Sequence, residues 1–231
     1  MFGGGLIFVR DERSAGAPAA AAKSFIQGNI HQNGSGTSTT CAVTLAATVG
    51  SGNALCVSVS YTTAVIDSIS VTDDKGNSYT SVISALNSGS GYAMHLFVAV
   101  NLTNAPQTIT ATDNSGPRQF LTIMVDEFSG ASSLDGSACQ AQSQAGTGTD
   151  AITSGPYTTT HNGDIIWGAG ISISGTNMSV GTGFTVAGMN NVVSTFTTEW
   201  EIQSTASAST AATFTDGGAL DQTVAGSLAL S

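Results

Sequence analysis

In the stretch Ala54-Leu55-Cys56-Val57-Ser58-Val59-Ser60-Tyr61 the larger apolar side chains fall on every second residue. A period of two puts those side chains on one face of an extended strand, and no helix can do the same with them. The alternation returns in Tyr92 to Val100, with Met94, Leu96, Val98 and Val100 on one face and His95 on the other. It recurs in Ile165, Trp167, Ala169, Ile171 and Ile173, and again in Phe196, Trp200 and Ile202, with Glu199 and Glu201 on the opposite face. Phe120 to Phe128 is apolar on both faces for most of its length, as a central strand is. From residue 40 onward such runs alternate with turn signals, predicting about twelve strands, enough for two packed antiparallel sheets.

The turns are written in residues that tolerate positive φ. Asp73-Asp74-Lys75-Gly76-Asn77 is expected to close a hairpin, and Asp113-Asn114-Ser115-Gly116-Pro117 and Asn162-Gly163-Asp164 to do similar work. Residues 130–155, rich in Gly, Ser, Ala and Gln, form the one long weakly patterned stretch and are expected to be a long loop. Only Ala17 to Phe25 has any helical character.

Composition agrees with an all-β chain. Charged residues are 9% of the 231, and Ser, Thr, Gly, Ala and Val dominate, which suits a pleated, half-buried surface better than a helix. The net charge of −10 sets fifteen carboxylates against five basic residues, Arg10, Arg13, Lys23, Lys75 and Arg118. A phosphate backbone or an anionic bilayer surface needs clustered Lys and Arg, so neither nucleic acid nor membrane is expected as a partner. No apolar run approaches the ~18 residues of a membrane-spanning helix.

Residues 1–36 read as an extended N-terminal arm and residues 37–231 as the β-sandwich domain. The arm is Gly-rich, then charged, then Ala-rich around Pro18, and ends in Asn33-Gly34-Ser35-Gly36. Such a segment cannot bury enough apolar surface to order itself. Its charges Arg10-Asp11-Glu12-Arg13 follow the apolar run instead of preceding it, unlike a cleaved signal, so the arm is expected to be retained. Leu6, Ile7, Phe8 and Val9 are the candidate assembly residues, suited to adding a strand to a neighbouring sheet edge. The three cysteines, Cys41, Cys56 and Cys139, are expected to be thiols. A hairpin around Gly50-Ser51-Gly52 would set residue 41 opposite residue 61, leaving Cys41 and Cys56 several residues out of register.

The order of elements resembles a known module. Asn53 to Ser60 is followed by Ile69-Ser70-Val71-Thr72-Asp73-Asp74-Lys75-Gly76-Asn77-Ser78-Tyr79, then by Leu96-Phe97-Val98-Ala99, Glu127-Phe128-Ser129-Gly130 and Ser133-Leu134-Asp135. Thr158-Thr159-Thr160 leading to Gly163-Asp164-Ile165-Ile166 completes the series. Over roughly residues 41–230 it is similar to a β-sandwich module of uncharacterised bacteriophage structural proteins and bacterial surface proteins. That resemblance implies a jelly-roll-like sandwich exposed on a virion or outside a cell. It carries no catalytic signature, and residues 1–36 lie outside it.

Catalytic patterns are faint. Gly170-Ile171-Ser172-Ile173-Ser174 approaches a hydrolase elbow but ends in Ser and sits in a strand. His31, His95 and His161 are far apart and read as surface or strand-face residues, with no metal-ligand spacing among His or Cys. Glu199 and Glu201 share a strand face about 6.5–7 Å apart by the strand rise, within the range of a glycosidase pair, but a solvated face is the simpler reading. Asp126 and Glu127 are adjacent and point to opposite faces. The turn at Asp73 gathers oxygen ligands without the order of a helical calcium loop. No catalytic, cofactor-binding or metal-binding residue is assigned, and no cofactor is expected.

These readings lead to a non-catalytic structural protein of a bacteriophage virion. It would be a capsid decoration or cement protein, or a head- or tail-fibre component, on the virion surface. Its expected partners are neighbouring copies of itself or a capsid or tail protein, met through the arm and sheet edges. The alternative is a module that binds host-surface glycans, at the cell surface or outside it.

Overall fold

Alternation along each run builds strands, and the strands build two windings of eight with the same strand order. The computed structural model describes residues 22–89, 91–143, 150–172, 178–190, 195–216 and 222–231. The first winding is β1 (Ser24–Gln32), β2 (Thr40–Thr44), β3 (Ala54–Thr62), β4 (Ile69–Asp73), β5 (Thr80–Asn87), β6 (Tyr92–Ala99), β7 (Thr108–Asp113) and β8 (Thr122–Ser129). The second is β9 (Leu134–Ser143), β10 (Asp150–Thr153), β11 (Asp164–Ser172), β12 (Met178–Val180), β13 (Thr185–Asn190), β14 (Thr195–Gln203), β15 (Thr213–Asp216) and β16 (Gln222–Leu230). No helix occurs among the described residues.

The first eight strands form a five-stranded sheet, β1-β8-β3-β6-β5, and a three-stranded sheet, β2-β7-β4. The next eight repeat that order strand for strand, as β9-β16-β11-β14-β13 and β10-β15-β12. In each unit the first strand pairs with the last, and all pairings are antiparallel. That is the winding of a jelly roll, with the fifth strand moved across to extend the larger sheet. The protein is therefore all-β and built of antiparallel two-sheet sandwiches, and it contains two of them.

The two five-stranded sheets lie face to face, giving four layers and three cores. On β3, Leu55, Val57, Val59 and Tyr61 point into the first unit's own core, while Ala54 and Cys56 point at the second unit. On β11 the large residues Ile165, Trp167 and Ile171 point at the first unit. The reverse side of β11 carries Gly168 and Gly170, and a Cβ on either would collide with the Ala212, Met178 or Phe214 side chains of the smaller sheet. Small residues on one face let the opposing layer approach, and large ones on the other fill the space between units.

Several elements differ from expectation for one reason: a jelly roll alternates between its sheets. Asp73–Asn77 joins β4 to β5, Asp113–Pro117 joins β7 to β8, and Asn162–Asp164 leads from β10 to β11, each crossing between sheets instead of closing a hairpin. The hairpin around Gly50–Gly52 is likewise absent, since β2 and β3 lie in different sheets. Cys41 and Cys56 are free and sit in different cores, and Cys139 is free as well. Within 130–155, expected as loop, lie β9 and β10. Ser24–Gln32, the end of the expected arm, is an edge strand on β8. Leu6, Ile7, Phe8 and Val9 lie outside the described residues.

A buried polar contact between side chains crosses the central interface, and Asn87 Nδ2 adds others to Gln142 O and Thr223 O. Trp167 Nε1 donates to Asp126 Oδ2 at 2.7 Å, with both residues buried. Gly28 gives the carboxylate its room, since a Cβ there would run into Asp126. Burial pushes the Asp126 carboxyl up to about 6, against the hydrogen bond from Trp167 that favours its charge. A carboxyl whose folded value is raised contributes stability that is fully present below about pH 4 and lost as pH rises through about 6. Asp126→Asn should therefore flatten the wild-type loss of unfolding free energy between pH 4 and 7, a span of at most about 3 kcal/mol, in denaturant titrations. Trp167→Phe removes the donor and should cost about 1–3 kcal/mol at pH 7 and less at pH 5.

Candidate functional site

Several carboxylates in this charge-poor chain serve as anchors for backbone N–H groups near the ends of strands. Asp73 Oδ1 accepts from the Lys75 and Asn77 amides at 2.9 and 3.1 Å, and its Oδ2 accepts from Asn77 Nδ2 and Tyr79 Oη. Asp74 Oδ1 accepts from Gln107 and Thr108 N–H. The oxygens that could have suggested calcium are thus occupied by the chain's own donors. Glu127 does the same inside the first unit, accepting from Gly50 N, Asn53 Nδ2 and Gln27 Nε2.

The Glu199/Glu201 pair is not a solvated face. Both point toward the three-stranded sheet of the second unit, where Glu199 is fully buried and accepts from the Gly181 and Thr213 amides at 2.8 and 2.9 Å. Burial raises its carboxyl to about 8, with the Glu201 charge adding to the effect. Glu201 is half-buried. Sequence reasoning took the opposite face of β14 for solvent because it had no sign of the second sheet over it. Trp200 points to the central core as expected, against Phe25 and Phe128.

His95, read as a surface or strand-face residue, lies on a face of β6 and is buried as well. Its Nε2 lies 3.0 Å from Tyr61 Oη, which in turn accepts from the Asp67 amide. Burial lowers the His95 imidazole to about 4 and raises the Tyr61 phenol. Arg118 closes this end of the first unit with a two-point contact to Asp67 at 2.7 and 2.9 Å, and approaches Asp113 at 3.3 Å. The arrangement links Tyr61, His95, Asp67 and Arg118 at one end of the first unit. Ser172 is buried on β11, consistent with an ordinary strand serine.

The cluster that sequence reasoning missed is at the start of β11. Asp135 on β9, His161 in the turn before β11 and Asp164 at its first position each offer one ligand atom, all within 4.8 Å of one another. Asp135 Oδ1 lies 3.1 Å from His161 Nδ1. The Asp135 carboxylate also accepts from Thr160 Oγ1 and from the Thr160 and His161 amides. Against the opposing effect of burial, these Thr160 hydrogen bonds hold its carboxyl well below the usual range. Burial, and then the neighbouring Asp135, raise the Asp164 carboxyl. Lys23 Nζ lies 3.4 Å from Asp164 Oδ1 and donates to Leu230 O at 3.0 Å. The only signal in the sequence was His161 and Asp164 three residues apart beside a turn; Asp135 is far away in the chain.

Comparison with protein-family models, with curated proteins and with solved structures returned no match. Asp135→Ala removes the acceptor for the Thr160 and His161 amides, and should speed their hydrogen exchange by roughly tenfold, read by NMR, while strand amides in the first unit keep their rates.

Proposed function

We propose that this chain is a non-catalytic structural protein of a bacteriophage virion, a capsid decoration or cement protein or a head- or tail-fibre component. It docks on neighbouring copies or on a capsid or tail protein through its N-terminal arm and sheet edges. The observation that carries the docking mode is at one side of the central stack. Edge strands β1 and β13 pack beside each other there, and each exposes an aliphatic side chain at a bulge, Ile26 (49% exposed) and Val186 (45% exposed). Strand edges keep unpaired backbone groups that another chain can meet, and exposed apolar residues beside them add burial. β1 is the first described strand, so the candidate arm leads along the chain into one of these edges. The phage setting follows from the resemblance of residues 41–230 described above.

The glycan-binding alternative has less support. Sugar platforms use exposed aromatic rings, and no Phe, Tyr or Trp is fully exposed among the described residues.

The full chain and a chain starting at Ala22, which keeps β1 whole, separate the outcomes when compared by light scattering and by incorporation into particles. Assembly by the full chain alone is the expected result, with Ile26→Lys and Val186→Lys together weakening it. Equal mass and equal incorporation for full and shortened chains would sink the proposal.

A further inference from the structure

Two carboxylates and an imidazole converge in the second unit, where the neighbouring hydrogen bonds leave one oxygen unmatched. We propose that Asp135, His161 and Asp164 form a binding site for a divalent first-row transition metal, with zinc as the default occupant. The inference is independent of the assembly reading.

The first support is geometric. The three ligand atoms lie within 4.8 Å of one another, and Asp135 Oδ1 and His161 Nδ1 are 3.1 Å apart. Two ligands each about 2.1 Å from one metal and near a right angle sit about 3 Å apart, so this pair can close on an ion with little movement. The three residues come from the start of β9, the turn before β11 and the first position of β11, and none depends on a long mobile loop for its place.

The second support is Asp164. Its side chain is 0% exposed, and its Oδ2 has no hydrogen-bond partner, while Oδ1 faces Lys23 Nζ at 3.4 Å. An Asp164 carboxylate oxygen lies within 4.8 Å of an Asp135 carboxylate oxygen. Two carboxylates this close favour a proton or a cation between them, and an orphaned buried oxygen is costly. The single ammonium of Lys23 leaves this pair of acids with excess negative charge, in a chain whose net charge is already −10. His161 is 61% exposed at its side chain, so the site has an open approach from solvent.

The donor set selects the class of ion. Calcium and magnesium prefer all-oxygen shells, whereas an imidazole nitrogen with carboxylates suits zinc and its neighbours. Three protein ligands with a solvent-facing side leave a place for water, the arrangement of an open zinc site. Bound metal would tie the turn before β11 to β9, beside the point where Lys23 enters the fold. Lys23 is the built-in competitor, a cation already facing the same carboxylate.

The test uses the full chain, freed of metal by chelation, at pH 7.5. Titration with zinc chloride is followed by calorimetry and thermal unfolding, and cobalt(II) chloride is followed by visible absorption. Zinc about a hundredfold above its Kd should raise Tm on the order of 5 °C or more. His161→Gln, at an exposed position that should not disturb folding, should weaken binding by at least about tenfold. Lys23→Gln should tighten it by removing the competitor. Cobalt should give visible d–d bands without a thiolate charge-transfer band, setting the three cysteines aside. The proposal is overturned by no change in Tm, by equal affinities for wild type and His161→Gln, or by a thiolate band.

Discussion

The face-to-face packing of the two five-stranded sheets is the constraint on which the rest of the structure depends. Each large sheet has one face in its own unit's core and the other in the shared core, so β3, β6, β8, β11 and β16 are buried on both sides almost throughout. Sheets stacked about 10 Å apart share the space between them, so side-chain sizes must match across each interface. On β3 the bulk stays inside the first unit, with Ala54 and Cys56 at the interface, whereas its counterpart β11 presents Trp167 and keeps Gly168 and Gly170 inside. β6 and β8 fill the interface from the first unit with Met94, Leu96, Met124 and Phe128. Asp126 and Trp167 meet at this boundary, so the packing of the two units is coupled to the protonation of one carboxyl.

With so few charges available, the carboxylates hold the ends of strands. Asp73, Asp74, Glu127, Asp135 and Glu199 each gather backbone N–H groups that a jelly roll leaves unpaired where the chain crosses from one sheet to the other. A crossing segment has no ladder partner, and its buried amides need an acceptor. This accounts for acids that look catalytic in a sequence and are consumed by the fold in three dimensions. Asp164 differs from these anchors, because one of its buried oxygens is left unmatched beside Asp135 and His161.

Much of the fold was legible and most of the candidate site was not. Alternation placed β3, β6, β11 and β14 and marked β8 as central. It gave the wrong environment for His95 and Glu199, because a polar residue facing a second sheet looks the same in sequence as one facing water. β9 and β10 escaped notice because edge strands of Gly, Ala, Ser and Gln carry no apolar period. The internal repeat also escaped notice: β3 and its counterpart β11 assign large and small residues to opposite faces, so these equivalent strands do not look alike. Asp135, His161 and Asp164 share a site only because β9 and β11 both pair with β16.

By itself the sequence determined the long apolar strands and the antiparallel sandwich class, because period-two patterning acts locally. Only the tertiary structure decided which turns cross between sheets, that sixteen strands among the described residues form two stacked windings, and which acids lie together. Those outcomes rest on the pairing of residues distant in sequence and on how closely layers approach. Both are set by the sizes of side chains meeting across a core, and neither leaves a mark within a single strand.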